Sequence, residues 1–276
     1  MKTLKNKPRV SVILPTYNRA YIIERAIDSV LNQSFKDFEL IIIDDASTDN
    51  TFSIINKYVD KRIVYLKREI NSCVEKVSAR NDGIRIARGK YIAYIDSDNS
   101  WFKNHLKYLY EFIEHNKRLC FVYCDSWVWR YGIKRKERGF AEKMAVPFPF
   151  ADTGEMFHKK KCAEKMGMWN FDGYFSDDWD FFRRFSKHHN IKHLRKILCN
   201  YYCSSHLKNA VAMFNMGVDA YRNNKAINKQ VVNYLKLSIK ESELHIGRNK
   251  NDTQKIEDAA KAMLLFGNHK GVFKII

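Results

Sequence analysis

Four short stretches of this chain carry side chains able to hold a charged ligand and move a proton. Asp96-Ser97-Asp98 follows the apolar run Tyr91-Ile92-Ala93-Tyr94-Ile95. Two carboxylates one residue apart, delivered by a strand into a loop, suit a hard divalent cation, which prefers oxygen ligands and keeps phosphate oxygens as partners. Pro15-Thr16-Tyr17-Asn18-Arg19 closes the run Val10–Leu14 and offers backbone amides, a hydroxyl and an aromatic face to a nucleotide base. Asp44-Asp45-Ala46-Ser47-Thr48-Asp49 closes another apolar run, and a carboxylate there can accept a hydrogen bond from a base N–H. Far along the chain stands Ser176-Asp177-Asp178-Trp179-Asp180-Phe181-Phe182. Each stretch alone also has a plain structural reading: a turn, a helix cap, or an acidic helix start favoured by the helix dipole.

The segments between them form an alternating series. Residues 9–15, 38–43, 62–66, 91–95 and 119–124 read as strands. Residues 20–32, 78–87 and 102–116 read as helices, and Ser47 or Asp49 is placed to cap another that runs to about Tyr58. Gly89 is expected to mark the end of the third helix. Strands that are apolar nearly throughout, alternating with helices, predict an α/β fold with a mostly parallel central sheet covered on both faces. Ligands bind such sheets beyond the carboxyl ends of the strands, where Asp44-Asp45 and Asp96-Ser97-Asp98 fall. From Leu207 the character changes to three helix-like segments, 207–223, 226–245 and 253–266. The expected organisation is therefore a domain over 1–206 and a small, basic helical appendage over 207–276. Within the first, about 8–125 forms a ligand-binding half and about 126–206 a second half.

The chain has 276 residues, 45% of them hydrophobic, and a net charge of +18. Residues 183–276 hold 18 Lys/Arg against 6 Asp/Glu, so this third carries most of the excess. Such a surface attracts anionic lipid, nucleic acid or anionic substrates. The basic cluster Lys134-Arg135-Lys136 with Arg138 reads as a solvated loop, and no nucleic-acid partner is expected. No apolar run approaches the roughly 20 residues that span a bilayer, and Met1 to Pro8 lacks the apolar core of a signal peptide. A cytoplasmic location is expected, with peripheral contact to an anionic inner membrane face through the basic segment. Neither Cys120-x3-Cys124 nor Cys199-x3-Cys203 with His206 has the two tight ligand pairs of a structural zinc site, so buried thiols are expected. No G-x-G-x-x-G follows the first strand, which excludes the dinucleotide-binding motif. Gly83 to Lys90 has the wrong spacing and order for a phosphate loop. No G-x-S-x-G elbow is present.

Taken in order, Val10-Ser11-Val12-Ile13-Leu14-Pro15-Thr16-Tyr17-Asn18-Arg19, Ile43-Asp44-Asp45-Ala46-Ser47-Thr48-Asp49-Asn50-Thr51, Ala79-Arg80-Asn81-Asp82-Gly83-Ile84, Gly89-Lys90-Tyr91-Ile92, Asp96-Ser97-Asp98 and Asp177-Asp178-Trp179-Asp180 resemble the inverting nucleotide-sugar glycosyltransferases of family 2. The resemblance covers about residues 8–206. It implies the GT-A fold, a nucleoside-diphosphate sugar donor (with a leaning to UDP), a divalent metal (Mn2+ or Mg2+), and a glycan or lipid-linked sugar acceptor. By position it implies that Pro15, Thr16, Tyr17, Asn18 and Asp44 bind the nucleotide. Asp98 would be the main metal ligand, with Asp96 at the ribose or a metal-bound water, and Ser97 would join them in binding the donor. Arg80 would lie near the donor's phosphates or sugar, and Asp178 would be the catalytic base, with Asp177 and Trp179 on the acceptor side. His206 is a candidate metal neighbour, although Cys203-Ser204-Ser205-His206 departs from the family's aromatic-Arg approach. Asp177 also stands where the family usually has Glu. Two other readings share parts of this pattern: a nucleotidyltransferase that forms sugar nucleotides, and a non-catalytic binding module of the same fold.

Overall fold

A computed structural model of the chain describes residues 7–71, 77–130, 133–137, 151–170 and 177–203. The chain divides into two compact units, Met1–Cys203 and Ser204–Ile276, and every described residue lies in the first. The three C-terminal helices expected from the sequence, the basic segment they carry and His206 lie outside the described residues. No helix among the described residues is long and apolar enough to cross a membrane.

Strands β1 (Val10–Thr16), β2 (Phe38–Asp44), β3 (Ile63–Lys67) and β4 (Tyr91–Tyr94) alternate with helices α1 (Ile23–Leu31), α2 (Thr51–Ile55) and α3 (Val77–Ile86). They pair in parallel in the order β3-β2-β1-β4. Then come β5 (Ser100–Trp101), α4 (His105–His115), β6 (Phe121–Arg130), β7 (Ile133–Glu137), a 3-10 turn (Thr153–Glu155), β8 (Met156–Lys159), α5 (Lys160–Lys165), α6 (Asp177–His188) and β9 (Ile191–Cys203). These extend the sheet past β4 as β8-β6-β9-β5, with β7 on β6. The parallel order thus holds for the first half. Beyond it the sheet is mixed, because β8 runs antiparallel to both of its neighbours and β5 antiparallel to β9.

The period of two along each strand sorts the core into two layers. Val10, Val12, Leu14, Leu40, Ile42, Ala93 and Ile95 join Ala26, Ile27, Val30, Leu106 and Leu109 of α1 and α4 in one cluster. Ile13, Ile41, Ile43, Ile92 and Tyr94 face the other way and join Ala79, Ile84, Trp169, Phe181 and Phe185. Both faces are therefore covered, which is why these strands read as unbroken apolar runs.

The structure also corrects the reading of several element ends. Helix α4 starts at His105 rather than Phe102, because Ser100 and Trp101 pair with β9 and the Phe102 amide donates to the Leu198 carbonyl at 2.9 Å. Helix α2 stops at Ile55, short of Tyr58, whose hydroxyl donates to Asp28 at 2.9 Å. Gly89 is not a helix cap: α3 ends at Ile86. A Cβ on Gly89 would stand 2.6 Å from the Ser11 nitrogen, so a bare Cα is needed for the chain to pass β1. Gly83 plays the same part inside α3, where a Cβ would meet Ile13 at 2.6 Å.

Two histidines are sealed in this core. His158 Nδ1–H donates to the Lys159 carbonyl at 3.1 Å, and its Nε2 accepts from Tyr94 Oη–H at 2.8 Å. Trp169 Nε1–H donates to the same Tyr94 oxygen at 2.9 Å. His105 donates from Nδ1 to the Leu198 carbonyl at 3.1 Å and stacks on Trp101. Burial lowers the His158 pKa to about 4 and that of His105 to about 3. Both rings are thus neutral in the folded chain, whereas in the unfolded chain they take a proton near pH 6.5. Below that pH the unfolded state binds more protons than the native state, so this stability is full above about pH 6.5 and is lost as pH falls toward the folded values. Each ring contributes a slope of up to about 1.4 kcal/mol per pH unit in that window. The urea midpoint is expected to drop between pH 7 and pH 5, while both imidazole NMR signals stay in the neutral form at pH 5. A protonated His158 at pH 5 in the folded chain contradicts this.

Candidate active site

The acidic groups meet at one edge of the sheet. Thr16 ends β1 opposite Asp44 at the end of β2, and Asp96-Ser97-Asp98 follows β4, the other neighbour of β1. Asp177 and Asp178 open α6, where unpaired amides and the helix dipole favour carboxylates. Asp177 Oδ1 accepts from the Asp178 amide at 3.0 Å.

Arg80 on α3 joins these parts. It is 2% exposed, its Nη1 donates to Asp177 Oδ2, and its Nη2 faces Asp96 Oδ1 at 3.5 Å and Thr153 Oγ1 at 3.2 Å. Its guanidinium carbon lies 4.4 Å from the centre of the Trp169 ring, a cation–π contact in a site shielded from water. Burial works against its charge, but Asp177, Asp96 and Asp178 more than offset this, and its pKa is raised. Arg80 was expected beside the donor's phosphates; its partners here are the chain's own carboxylates. Asp96 likewise has its carboxylate turned to Arg80, and it is buried with Ser97, while Asp98 is half-buried.

The loops after β1 and β2 are tied to each other. Asn18 adopts φ 49°, its amide donates to Ser47 Oγ at 2.9 Å, and its Oδ1 accepts from the Thr48 amide at 2.8 Å. Asp44 is fully buried; its Oδ1 accepts from the Ser47 amide and its Oδ2 from the Tyr65 hydroxyl, each at 2.8 Å. Pro15 is buried inside β1, Tyr17 is 45% exposed, and the Thr16 hydroxyl is buried with no hydrogen-bond partner. Asp49 accepts from the Thr51 and Ala20 amides and so locks the start of α2. Asp180 is buried and accepts from Arg184 Nε at 2.7 Å, which makes it a brace of α6. Trp179 belongs to α6, but its side chain, like His206, is outside the described set.

Sequence reasoning missed Arg25 and Tyr202. Arg25 on α1 donates from Nη2 to the Asp98 carbonyl, and its guanidinium carbon lies 3.7 Å from the centre of the Tyr202 ring. Asn99 Oδ1 accepts from the Tyr202 amide at 3.0 Å. The D-x-D loop is thus fastened from behind by α1 and β9. The sequence signal was weak, because Glu24 and Arg25 stand side by side between Ile22–Ile23 and Ala26–Ile27 and only the fold separates the exposed Glu24 from the half-buried Arg25.

The sequence matches the model of glycosyl transferase family 2 over residues 11–190. This chain belongs to that family. Over 119 residues it is 40% identical to the Escherichia coli enzyme named UDP-Glc:alpha-D-GlcNAc-diphosphoundecaprenol beta-1,3-glucosyltransferase WfaP, a match covering 43% of this chain and 46% of that one. Over 113 residues it is 36% identical to the poly(ribitol-phosphate) beta-glucosyltransferase of Bacillus spizizenii, covering 40% of this chain and 18% of the relative. The chain therefore spans less than half the length of either relative. Among solved structures, S. aureus TarS 1-349 in complex with UDP-GlcNAc superposes with a TM-score of 0.61 at 19% identity, over 88% of this chain and 74% of that one. The mannosyltransferase PcManGT from Pyrobaculum calidifontis, in complex with GDP-Man and Mn2+, gives 0.64 at 17% identity over 97% and 84%. These two likenesses establish the fold, which is GT-A.

In this family 2 domain, Arg80→Ala takes the cation from the buried Asp96 and the half-buried Asp177. It is expected to destabilise the chain by about 3–5 kcal/mol in urea denaturation at neutral pH. Lys107→Ala, which removes an exposed partner of Glu111, is expected to change stability by less than about 1 kcal/mol. Equal effects of the two substitutions would show that Arg80 does not hold the acidic edge together.

Proposed function

We propose that the chain is an inverting glycosyltransferase that moves a sugar from a nucleoside diphosphate, most simply UDP, to a hydroxyl of a glycan or lipid-linked acceptor in polysaccharide or glycolipid synthesis. The observation that carries this reading is the convergence of Asp44, Asp96–Asp98 and Asp177–Asp178 at the carboxyl edge of the parallel strands, with Arg80 joining Asp96 to Asp177. The names of two relatives, one a glucosyltransferase for GlcNAc-diphosphoundecaprenol and one a poly(ribitol-phosphate) glucosyltransferase, support the acceptor class.

The base would lie between the loops after β1 and β2. Tyr17 presents an exposed ring there, and Thr16 stands beside it at the end of β1 with its hydroxyl buried. Each Asp44 oxygen keeps a second lone pair for a base N–H beyond the bond it already accepts. Asp98, with Asp96 beside it, would hold Mn2+ or Mg2+, since an all-carboxylate donor set suits a hard cation. When bound, that cation stabilises negative charge on the departing diphosphate. Asp178 accepts the proton of the acceptor hydroxyl as the acceptor oxygen bonds to the anomeric carbon and the bond to the diphosphate breaks. A single displacement of this kind inverts the anomeric centre. Arg80 holds Asp177, whose carboxylate receives the Asp178 amide, and so fixes where the base stands.

Asp178→Asn is expected to lower turnover by about 10²–10⁴-fold, the range of general base catalysis, with donor affinity unchanged. Turnover equal to wild type would refute the assignment of the base. A UDP-sugar with Mn2+ is expected to raise the melting temperature by linkage, about 2.7 kcal/mol of stabilisation at 100-fold excess over Kd, and Asp98→Ala is expected to remove the metal-dependent part. If no sugar nucleotide shifts the transition, the donor site is wrongly placed. The basic stretch over 183–276 supports peripheral contact with an anionic membrane. Flotation with anionic liposomes at low salt is expected, and its absence refutes that contact.

A further inference from the structure

At the end of the sheet away from the acidic edge, three soft ligands converge. Strands β4 and β6 both run antiparallel to β8, so the start of β6 lies at the edge opposite Asp96–Asp98. Cys120 stands just before β6, with its amide donating to the Asn190 carbonyl and its carbonyl accepting from the Lys159 amide, both at 2.9 Å. Cys162 lies on α5, and His189 follows α6. One ligand atom from each of the three falls within 4.8 Å of the others, and the two Sγ atoms are 2.8 Å apart.

We propose that Cys120, Cys162 and His189 form a binding site for a borderline-soft divalent cation of the zinc type, separate from the acidic site. Two thiolates and one imidazole are the donor set such a cation prefers. A cation that takes both sulfurs as thiolates releases their protons to solvent on binding.

Cys120 and His189 are partly exposed, so an ion can enter and water can take the fourth position. The second soft cluster, His105, Cys124 and Cys199, has no such entry because all three residues are buried in the core. Zinc–sulfur bonds of about 2.3 Å hold two sulfurs about 3.8 Å apart in a tetrahedron, so the thiols separate by about 1 Å on binding. A disulfide would close them instead to about 2.05 Å, and it gives His189 no part. A bound cation would anchor the far end of α6, the helix that opens with Asp177 and Asp178.

The test uses the full chain, reduced and then titrated with Zn2+ or Co2+ alone. One equivalent of zinc is expected, along with a cobalt form showing thiolate-to-metal charge transfer. Loss of an outer-shell partner alone weakens metal sites about 10–100-fold, so Cys120→Ser and His189→Ala are each expected to weaken binding by more than about 10-fold. Cys199→Ser should leave it unchanged. A reduced wild-type chain that takes up neither metal overturns the proposal without need of a variant. So does zinc retained by Cys120→Ser, zinc lost on Cys199→Ser, or a metal-free chain whose mass shows the Cys120–Cys162 disulfide after mild oxidation and no zinc uptake after reduction.

Discussion

The acidic edge of this domain depends on one buried guanidinium. Carboxylates brought together away from water repel one another and lose hydration. Arg80 makes their approach tolerable because its planar fork reaches Asp177 with one nitrogen and Asp96 and Thr153 with another, while its face lies on Trp169. Trp169 is in turn stacked on Phe181 of α6, with ring centroids 4.0 Å apart, and bonded to Tyr94 of β4. Strand β4, helix α3 and helix α6 are thus locked through one cation and one aromatic ring. The positions of Asp96 and Asp177 follow from that lock.

A second layer of restraint fixes the loops that carry the remaining groups. Asn18 and Ala46 both take positive φ, 49° and 64°, conformations that are costly for residues with a Cβ. They persist because the two loops hold each other: Asn18 bonds Ser47 and Thr48, and Asp44 bonds the Ser47 amide. Arg25 and Asn99 do the same for the D-x-D loop from α1 and β9. Groups held in advance lose less entropy when a ligand arrives, so in the proposed donor site these internal bonds would favour binding.

Much of this was legible in the residues. The nearly unbroken apolar runs located β1, β2 and β4 and predicted a sheet covered on both faces, because burial on both sides leaves no room for alternation, whereas β3 at the end of the sheet is half-buried to exposed. Parallel order then placed Asp44 and Asp96–Asp98 at one edge. The second half was less legible. Strands β8 and β9 carry His158, Lys192, His193 and Lys196 among their apolar residues, and their pairing is decided by partners distant in sequence. Gly89 was misread because a helix-ending glycine and a close-approach glycine look alike until the neighbouring strand is in place.

The sequence by itself determined which residues could do chemistry and at which strand ends they would stand. Residue type sets donor chemistry, and period-two patterning sets strand and edge. The tertiary structure decided how those groups are shared. It turned Arg80 toward Asp96 and Asp177, engaged both oxygens of Asp44, fastened Asp98 through Arg25, and gathered Cys120, Cys162 and His189 from three separate elements. The physical reason is range: patterning acts over a few residues, whereas pairing a buried charge or assembling a ligand set requires side chains that only packing brings together.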